Sequence, residues 1–362
     1  MMNGSLRIID PCAPRAYTTL DDMHGLGGTE ATVLRIARSL AGTQDVTVEQ
    51  AVRDAHDVAD GLRFVPMNLM RTAGRTIIVI NSWKVALICR RRNPDARICV
   101  WQHVVPGRHN RQMGADLADA GITIICVSHS LAATVRRLLP GGVEVTAIHN
   151  PVADDLLADA TPRDPDLLLF ASSPHKGMDQ VARAFATLHR TLPGLRLELA
   201  DPGYLAWNIG AFPEGVVALG TLTHAGVIAK MRQALCIFYP QTRFAETFGL
   251  VIAEANAVGC PALVHRGLGA NDEVVSDASQ CVDGADSAAI ADRIIAWRKT
   301  PPMVTLRPQF RLASVLADWR GFLAQSAACS TAHELVGAPL PGHRTPAGNR
   351  PKVAHNQPQV VP

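Results

Sequence analysis

The chain has 362 residues, 48% of them hydrophobic, with a formal net charge of +3. That length exceeds one typical core and predicts two domains of about 150 residues each. So small a net charge gives no footing for nucleic-acid binding, and without about 18 unbroken apolar residues no transmembrane helix is expected.

The N-terminus, MMNGSLRIID, reads as a strand and lacks the basic and apolar regions of a signal peptide. Strand-like runs then fall at residues 6–10, 46–50, 76–80, 98–102, 122–127 and 143–148. Helical patterns lie between several of them, at 29–40, 83–91 and 130–139. Alternation of buried strands with helices predicts a parallel sheet. The pattern breaks at His149, Asn150 and Pro151, and a polar linker is expected at 158–166. It then restarts, with strands at 167–171, 195–200, 216–219, 236–239 and 261–265 and helices at 178–192, 224–234, 247–258 and 285–298.

The fold class expected is therefore α/β, two doubly wound Rossmann-like domains facing across a cleft. They divide as 1–157, the linker 158–166, and 167–310. A last amphipathic helix at 311–324 is expected to pack back on the first domain. The proline-containing remainder, 325–362, is expected to be disordered.

None of the eight cysteines forms a C-x-x-C pair, and Cys99, Cys126 and Cys236 sit in apolar runs as small hydrophobes. A reduced cytoplasm is the expected compartment. Arg90, Arg91 and Arg92 read as a solvated helix end, with peripheral contact to an anionic membrane face as the alternative. Lysine is scarce beside arginine, so Lys176 within SSPHKG stands out.

The segment FAETFGLVIAEANAVGCP sets Glu246 just before an expected helix and Glu254 eight residues on, roughly 12 Å further along its axis. Between them, the N–H groups of Thr247, Phe248 and Gly249 would meet the positive end of the helix dipole, a natural phosphate site. Carboxylates flanking a phosphate repel it, so they suit sugar hydroxyls on either side. A nucleotide-sugar has that layout. Alone, either glutamate also fits a first-turn acid or a solvated helix face. The apolar surroundings of Glu254 argue against the second, because an unpaired charge is rare in a buried helix.

These pieces together resemble the family 4 retaining glycosyltransferases of GT-B fold, over roughly residues 6–324. GLGGTEATVLRIARSL matches the glycine turn opening the first long helix, and WQHVV the middle of the first domain. CVSHSLAATVRR and IHNPVADDLL precede the linker. SSPHKGMD opens the second domain, and ADPGY follows its second strand. The stretch from GTLTHAG to GCPAL is the most specific match.

The resemblance implies that Glu246 accepts hydroxyls of the donor sugar and Glu254 those of the ribose. Backbone N–H groups of Thr247, Phe248 and Gly249 would hold the diphosphate, with Lys176 adding a point charge. Gly27 and Gly28, with Thr29 capping the next helix, would let the backbone close on the donor, and His103 would lie near the transferred sugar. The implied activity is metal-independent, hexosyltransferase-like transfer with retention, in polysaccharide or glycoconjugate synthesis. The donor would be a nucleotide-diphosphate sugar, the acceptor a saccharide, lipid-linked or small molecule, and no cofactor is implied.

The chain departs from the family at the arginine usual about six residues before the lysine. Position 170 is Phe170, with Ser172 and Ser173 nearby and Arg243 as a candidate additional cation. A nucleotide-sugar epimerase and a non-catalytic nucleotide-sugar binder are the alternatives. A dehydrogenase would need G-x-G-x-x-G straight after the first strand, where Asp10, Pro11 and Cys12 stand instead.

Overall fold

The computed structural model describes residues 3–19, 27–69, 75–107, 112–139, 141–201 and 212–334. Met1–Leu323 form one compact unit. Its first lobe contains β1 (Asn3–Asp10), α1 (Gly28–Ala41), β2 (Gln44–Gln50), β3 (Asp57–Ala59), β4 (Leu62–Pro66) and β5 (Thr76–Ile80). It continues through α2 (Trp83–Arg92), β6 (Arg97–Gln102), α3 (Met113–Asp119), β7 (Thr123–Cys126), α4 (His129–Leu138) and β8 (Val145–Ala147). The strand order is β3-β4-β2-β1-β5-β6-β7-β8, parallel except where β3 meets β4. Ile8 of β1 pairs with Val48 on one side and Ile78 on the other.

Local chemistry explains these elements. All five residues of β5, TIIVI, are β-branched and buried, as a strand covered on both faces requires. Ser82 and Ser128 cap α2 and α4 by accepting from the N–H groups of Val85 and Leu131.

The second lobe begins with β9 (Asp164–Ala171), α5 (Met178–Thr191), β10 (Arg196–Asp201), β11 (Val216–Thr221) and α6 (His224–Gln233). It goes on with β12 (Ala234–Tyr239), α7 (Leu250–Ala257), β13 (Ala262–His265), α8 (Asn271–Val274), β14 (Cys281–Val282) and α9 (Ser287–Lys299). Its sheet runs β11-β10-β9-β12-β13-β14, with every pair parallel. Leu169 on β9 pairs with Glu198 of β10 and Ile237 of β12. Strand order reverses at β9, so a crevice opens beyond the carboxyl ends of β9 and β12, where ligands bind in such sheets.

The chain then returns to the first lobe. Val152 N donates to Phe310 O (2.8 Å) and Leu312 N to Val152 O (3.0 Å). In α10 (Leu312–Glu334), Trp319 packs edge-on against Trp101 with ring centroids 4.7 Å apart. The Arg97 guanidinium lies 3.8 Å over the Phe322 ring and donates to its carbonyl at 2.7 Å.

Several boundaries differ from the sequence reading. The stretch expected as a linker already contains the start of β9, and Arg163 ties it down by donating to the carbonyls of Met231, Ala234 and Val258. α10 continues to Glu334, ten residues into the expected disordered tail, and 335–362 lie outside the described residues. Thr29 is not a cap. The helix starts at Gly28, with Gly27 at the N-cap and no side-chain bond there. The turn in ADPGY also lies outside the described residues from Pro202 onward. No described helix is long and apolar enough to cross a membrane.

Candidate active site

At the crevice between β9 and β12, two short segments carry the candidate residues. The segment after β9 passes Ser172 and Ser173 into a single 3-10 turn, Pro174–Lys176. The segment after β12 carries Gln241 to Gly249 into α7. They meet where Lys176 Nζ stands 3.1 Å from both oxygens of Glu246. Tyr239 OH donates to Glu246 Oε1 at 3.0 Å, and the ammonium also sits 4.9 Å over the Phe244 ring. Glu246 is thus held by two donors and is nearly buried.

The loop from the other side fixes the backbone of Glu246. Ala270 N donates to Glu246 O at 2.9 Å, and Gly269 packs directly against this peptide. A Cβ at Gly269 would fall 2.7 Å from the Glu246 nitrogen and closer still to its carbonyl oxygen. With φ of +59°, only glycine fits there without strain.

The helix after the acid pair begins later than the sequence suggested. Gly249 takes the left-handed conformation (φ 89°, ψ 56°), so α7 starts at Leu250, and Glu246 stands outside it. The axial estimate for the two carboxylates therefore does not apply. Leu250 and Val251 offer the first-turn N–H groups, while those of Ile252 and Ala253 donate to Gly249 O. Phe248 is a core residue, 5.1 Å from the Phe310 ring and close to His149. Thr247 faces the first lobe, where its hydroxyl donates to His103 O (2.8 Å) and its carbonyl accepts from Ser128 Oγ at 2.5 Å.

Glu254 lies one turn into α7, buried to 4% exposure. Its Oε1 is 3.2 Å from Arg35 NH2 of α1 and 3.0 Å from His224 Nε2 at the start of α6. Burial alone would raise this carboxyl. The hydrogen bond and charge of His224, then those of Arg35, outweigh burial and hold it below the ordinary carboxylate range. The Lys176–Glu246 and Arg35–Glu254 pairs set a cation against each carboxylate, so an incoming anion meets neither uncompensated.

These residues line one cavity of about 170 Å³. Its walls include Gly27, Gly28 and Ala31 from the first lobe. Ser172, Ser173, Lys176, His224, Tyr239, Glu246, Gly249, Leu250 and Glu254 come from the second. Of the expected site residues, Gly27, Gly28, Lys176, Glu246, Gly249 and Glu254 are brought together. Thr247, Phe248, His103 and Arg243 do not line it. Arg243 is exposed and pairs with Asp179 at 3.3 Å. His103 is buried beside Trp101, its Nε2 without a partner, and burial drives its imidazole down to about 3. Phe170, where the family arginine was sought, is a core residue against Tyr239.

Arg35, His224 and Tyr239 escaped the sequence reading. Arg35 stands in a helix whose charges look like a solvated face, and no spacing links it to a partner 219 positions away. Asp164 and Asp166 form an Asp-x-Asp, but they open β9, at the opposite end of that strand from Lys176, and pair with Arg196 and Arg298. Among the described residues, His129, His149 and Glu273 are the group spaced to hold an ion. The Glu273 oxygens already accept from the N–H groups of His129 and Ser130, and one also meets His149 Nε2 at 2.8 Å.

Two doubly wound lobes with a cleft at the strand ends define the GT-B fold. Residues 161–310, the second lobe, match the family model described as glycosyl transferases group 1. Sucrose-phosphate synthase from Thermosynechococcus elongatus superposes with a TM-score of 0.64 at 13% identity, covering 92% of this chain and 100% of that one. HepE from Anabaena, solved with UDP and glucose, gives 0.60 at 15%, covering 91% and 100%. AviGT4, a glycosyltransferase of avilamycin A biosynthesis, gives 0.60 at 18%, covering 93% and 99%. Comparison with curated protein sequences returned no match.

Proposed function

We propose that this protein is a glycosyltransferase of the family 4 type, moving a sugar from a nucleotide-diphosphate donor to an acceptor with retention. The observation that carries this reading is the convergence of Lys176, Glu246 and Glu254 on one cavity with the start of α7. The match of the second lobe to group 1 glycosyltransferases supports it, as does HepE, whose structure holds UDP-glucose.

Glu246 accepts hydroxyls of the transferred sugar, and Lys176 fixes that carboxylate while offering its charge to the diphosphate. As the bond from the anomeric carbon to the diphosphate oxygen breaks, the acceptor's hydroxyl oxygen bonds that carbon and its proton passes to the departing diphosphate, on which negative charge grows in the transition state. Lys176, the N–H groups of Leu250 and Val251 and the dipole of α7 stabilise it. Gly27 and Gly28 carry no side chain to obstruct the donor from the first lobe. Ser172 and Ser173 supply hydroxyls where the family arginine is missing. Orientation and leaving-group stabilisation then carry the rate, with no covalent nucleophile and no metal.

The test is incubation with UDP-, GDP-, ADP- and dTDP-sugars, with and without saccharide and lipid-linked acceptors, following release of nucleoside diphosphate. Release that rises with an acceptor supports transfer. An isomerised sugar would mean an epimerase, and binding without turnover a non-catalytic binder. Neither binding nor release with any donor would overturn the reading.

A further inference from the structure

Arg35 lies on α1 of the first lobe, only 6% exposed, and its guanidinium crosses to the second. NH1 donates to Pro151 O at 3.3 Å, and NH2 reaches Glu254 Oε1. His224 Nε2 approaches that same oxygen. Both contacts fall on Oε1, and among the described residues Oε2 accepts from no group. Glu254 nevertheless lines the cavity. A carboxylate gripped by one oxygen keeps the other as a fixed acceptor.

We infer that Arg35 is a positioning residue for the nucleoside end of the donor, fixing Oε1 of Glu254 from the opposite lobe so that Oε2 accepts a ribose hydroxyl. This rests on the reading of Glu254 as the ribose acceptor. A merely stabilising role fits less well, because taking two charges out of water costs much of what their attraction returns, and an apolar side chain would fill the same space. Arg35 also comes from the lobe that does not carry α7. The ribose acceptor is therefore set only while the two lobes touch, and nucleoside recognition becomes a property of the lobe contact.

The experiment compares affinities of the full chain for UDP, GDP and ADP with those for their 2′- and 3′-deoxy counterparts, by calorimetry. Wild type should prefer the ribonucleotide by about tenfold, the scale of one hydrogen bond to a charged group. In Arg35→Met the preference should shrink to about twofold or less, with affinity for inorganic pyrophosphate unchanged. Arg35→Lys, which keeps the charge but loses the two-pronged grip, should fall between. A purely structural arginine would weaken all ligands alike and leave the ratio intact. An Arg35→Met protein with the wild-type ratio overturns the inference. If Arg35→Met does not fold, Arg35→Lys decides it: a reduced ratio supports the inference and an unchanged one overturns it. Wild type that binds no nucleoside diphosphate would instead overturn the functional reading, and wild type that binds without ribose preference the role of Glu254.

Discussion

Lys176 Nζ stands 3.1 Å from each carboxylate oxygen of Glu246, although the two belong to different strand-to-helix segments. The pair ties the loops after β9 and β12 together across the switch point of the second sheet. In the function proposed, the pair also divides the labour of the site, with Glu246 assigned to sugar hydroxyls and Lys176 to the diphosphate.

Glu246→Ala should abolish transfer while leaving affinity for the free nucleoside diphosphate largely intact. Turnover assays paired with calorimetry check it. Equal loss of affinity for nucleoside diphosphate and nucleotide-sugar would remove Glu246 from the sugar.

Lys176→Ala should cost about 2–4 kcal/mol of transition-state stabilisation, the scale of losing one charge-stabilising donor. Lys176→Arg should recover part of this, because the bulkier planar guanidinium keeps the charge but cannot place it where the compact ammonium sits. The ratio of kcat/KM between variant and wild type measures it, and wild-type turnover in Lys176→Ala would contradict the role.

Activity should survive a chelator that strips divalent ions, the amides opening α7 and Lys176 supplying the compensation. Turnover is assayed before and after chelation, then with magnesium or manganese restored. Activity lost to chelation and regained only with the metal would refute the metal-free step.

His103 carries a pH signature of its own. Its folded value, about 3, lies below the unfolded value near 6.5, so the unfolded chain binds the extra proton first as pH falls. Its contribution is therefore fully present above pH 6.5 and declines towards pH 3, by about 2 kcal/mol between pH 7 and pH 5. Urea unfolding at these two pH values should show that loss in wild type. His103→Gln should be less sensitive by the same amount, and parallel curves would disprove it.

Gly269→Ala should lower stability by about 1–3 kcal/mol, through left-handed backbone strain and a clash with the Glu246 peptide. Because that peptide must shift, kcat should fall as well. Thermal unfolding and steady-state kinetics read the two effects separately. Unchanged Tm and kcat would show that the loop yields freely.

Much of the architecture was legible because buried parallel strands announce themselves. β5, β6 and β12 read as continuous apolar runs between helical patterns. β3 and β4 did not, the first being three residues long and the second interrupted by the exposed Arg63 and closed by a proline. Glu246, Glu254 and Lys176 stood out by residue type and spacing. The start of α7 was misplaced because Gly249 adopts a conformation that its neighbours in sequence do not reveal. Thr247 and Phe248 read as phosphate-facing, yet one serves the lobe contact and the other the core. Arg35 was invisible for a different reason. Its meaning depends on a partner in another lobe, and periodicity carries no information about that.

The contact between Trp101 and Trp319 bears on how the protein is made. The first lobe draws part of its interior from residues made more than two hundred positions after Trp101 and Arg97, which have no finished surroundings until α10 emerges. A fragment ending near residue 150 would present that apolar face to water. At the usual pace of synthesis, about 5–20 residues per second, the interval is on the order of ten seconds or more. During that time the nascent chain has an exposed tryptophan surface for chaperones to shield, and the two lobes mature together.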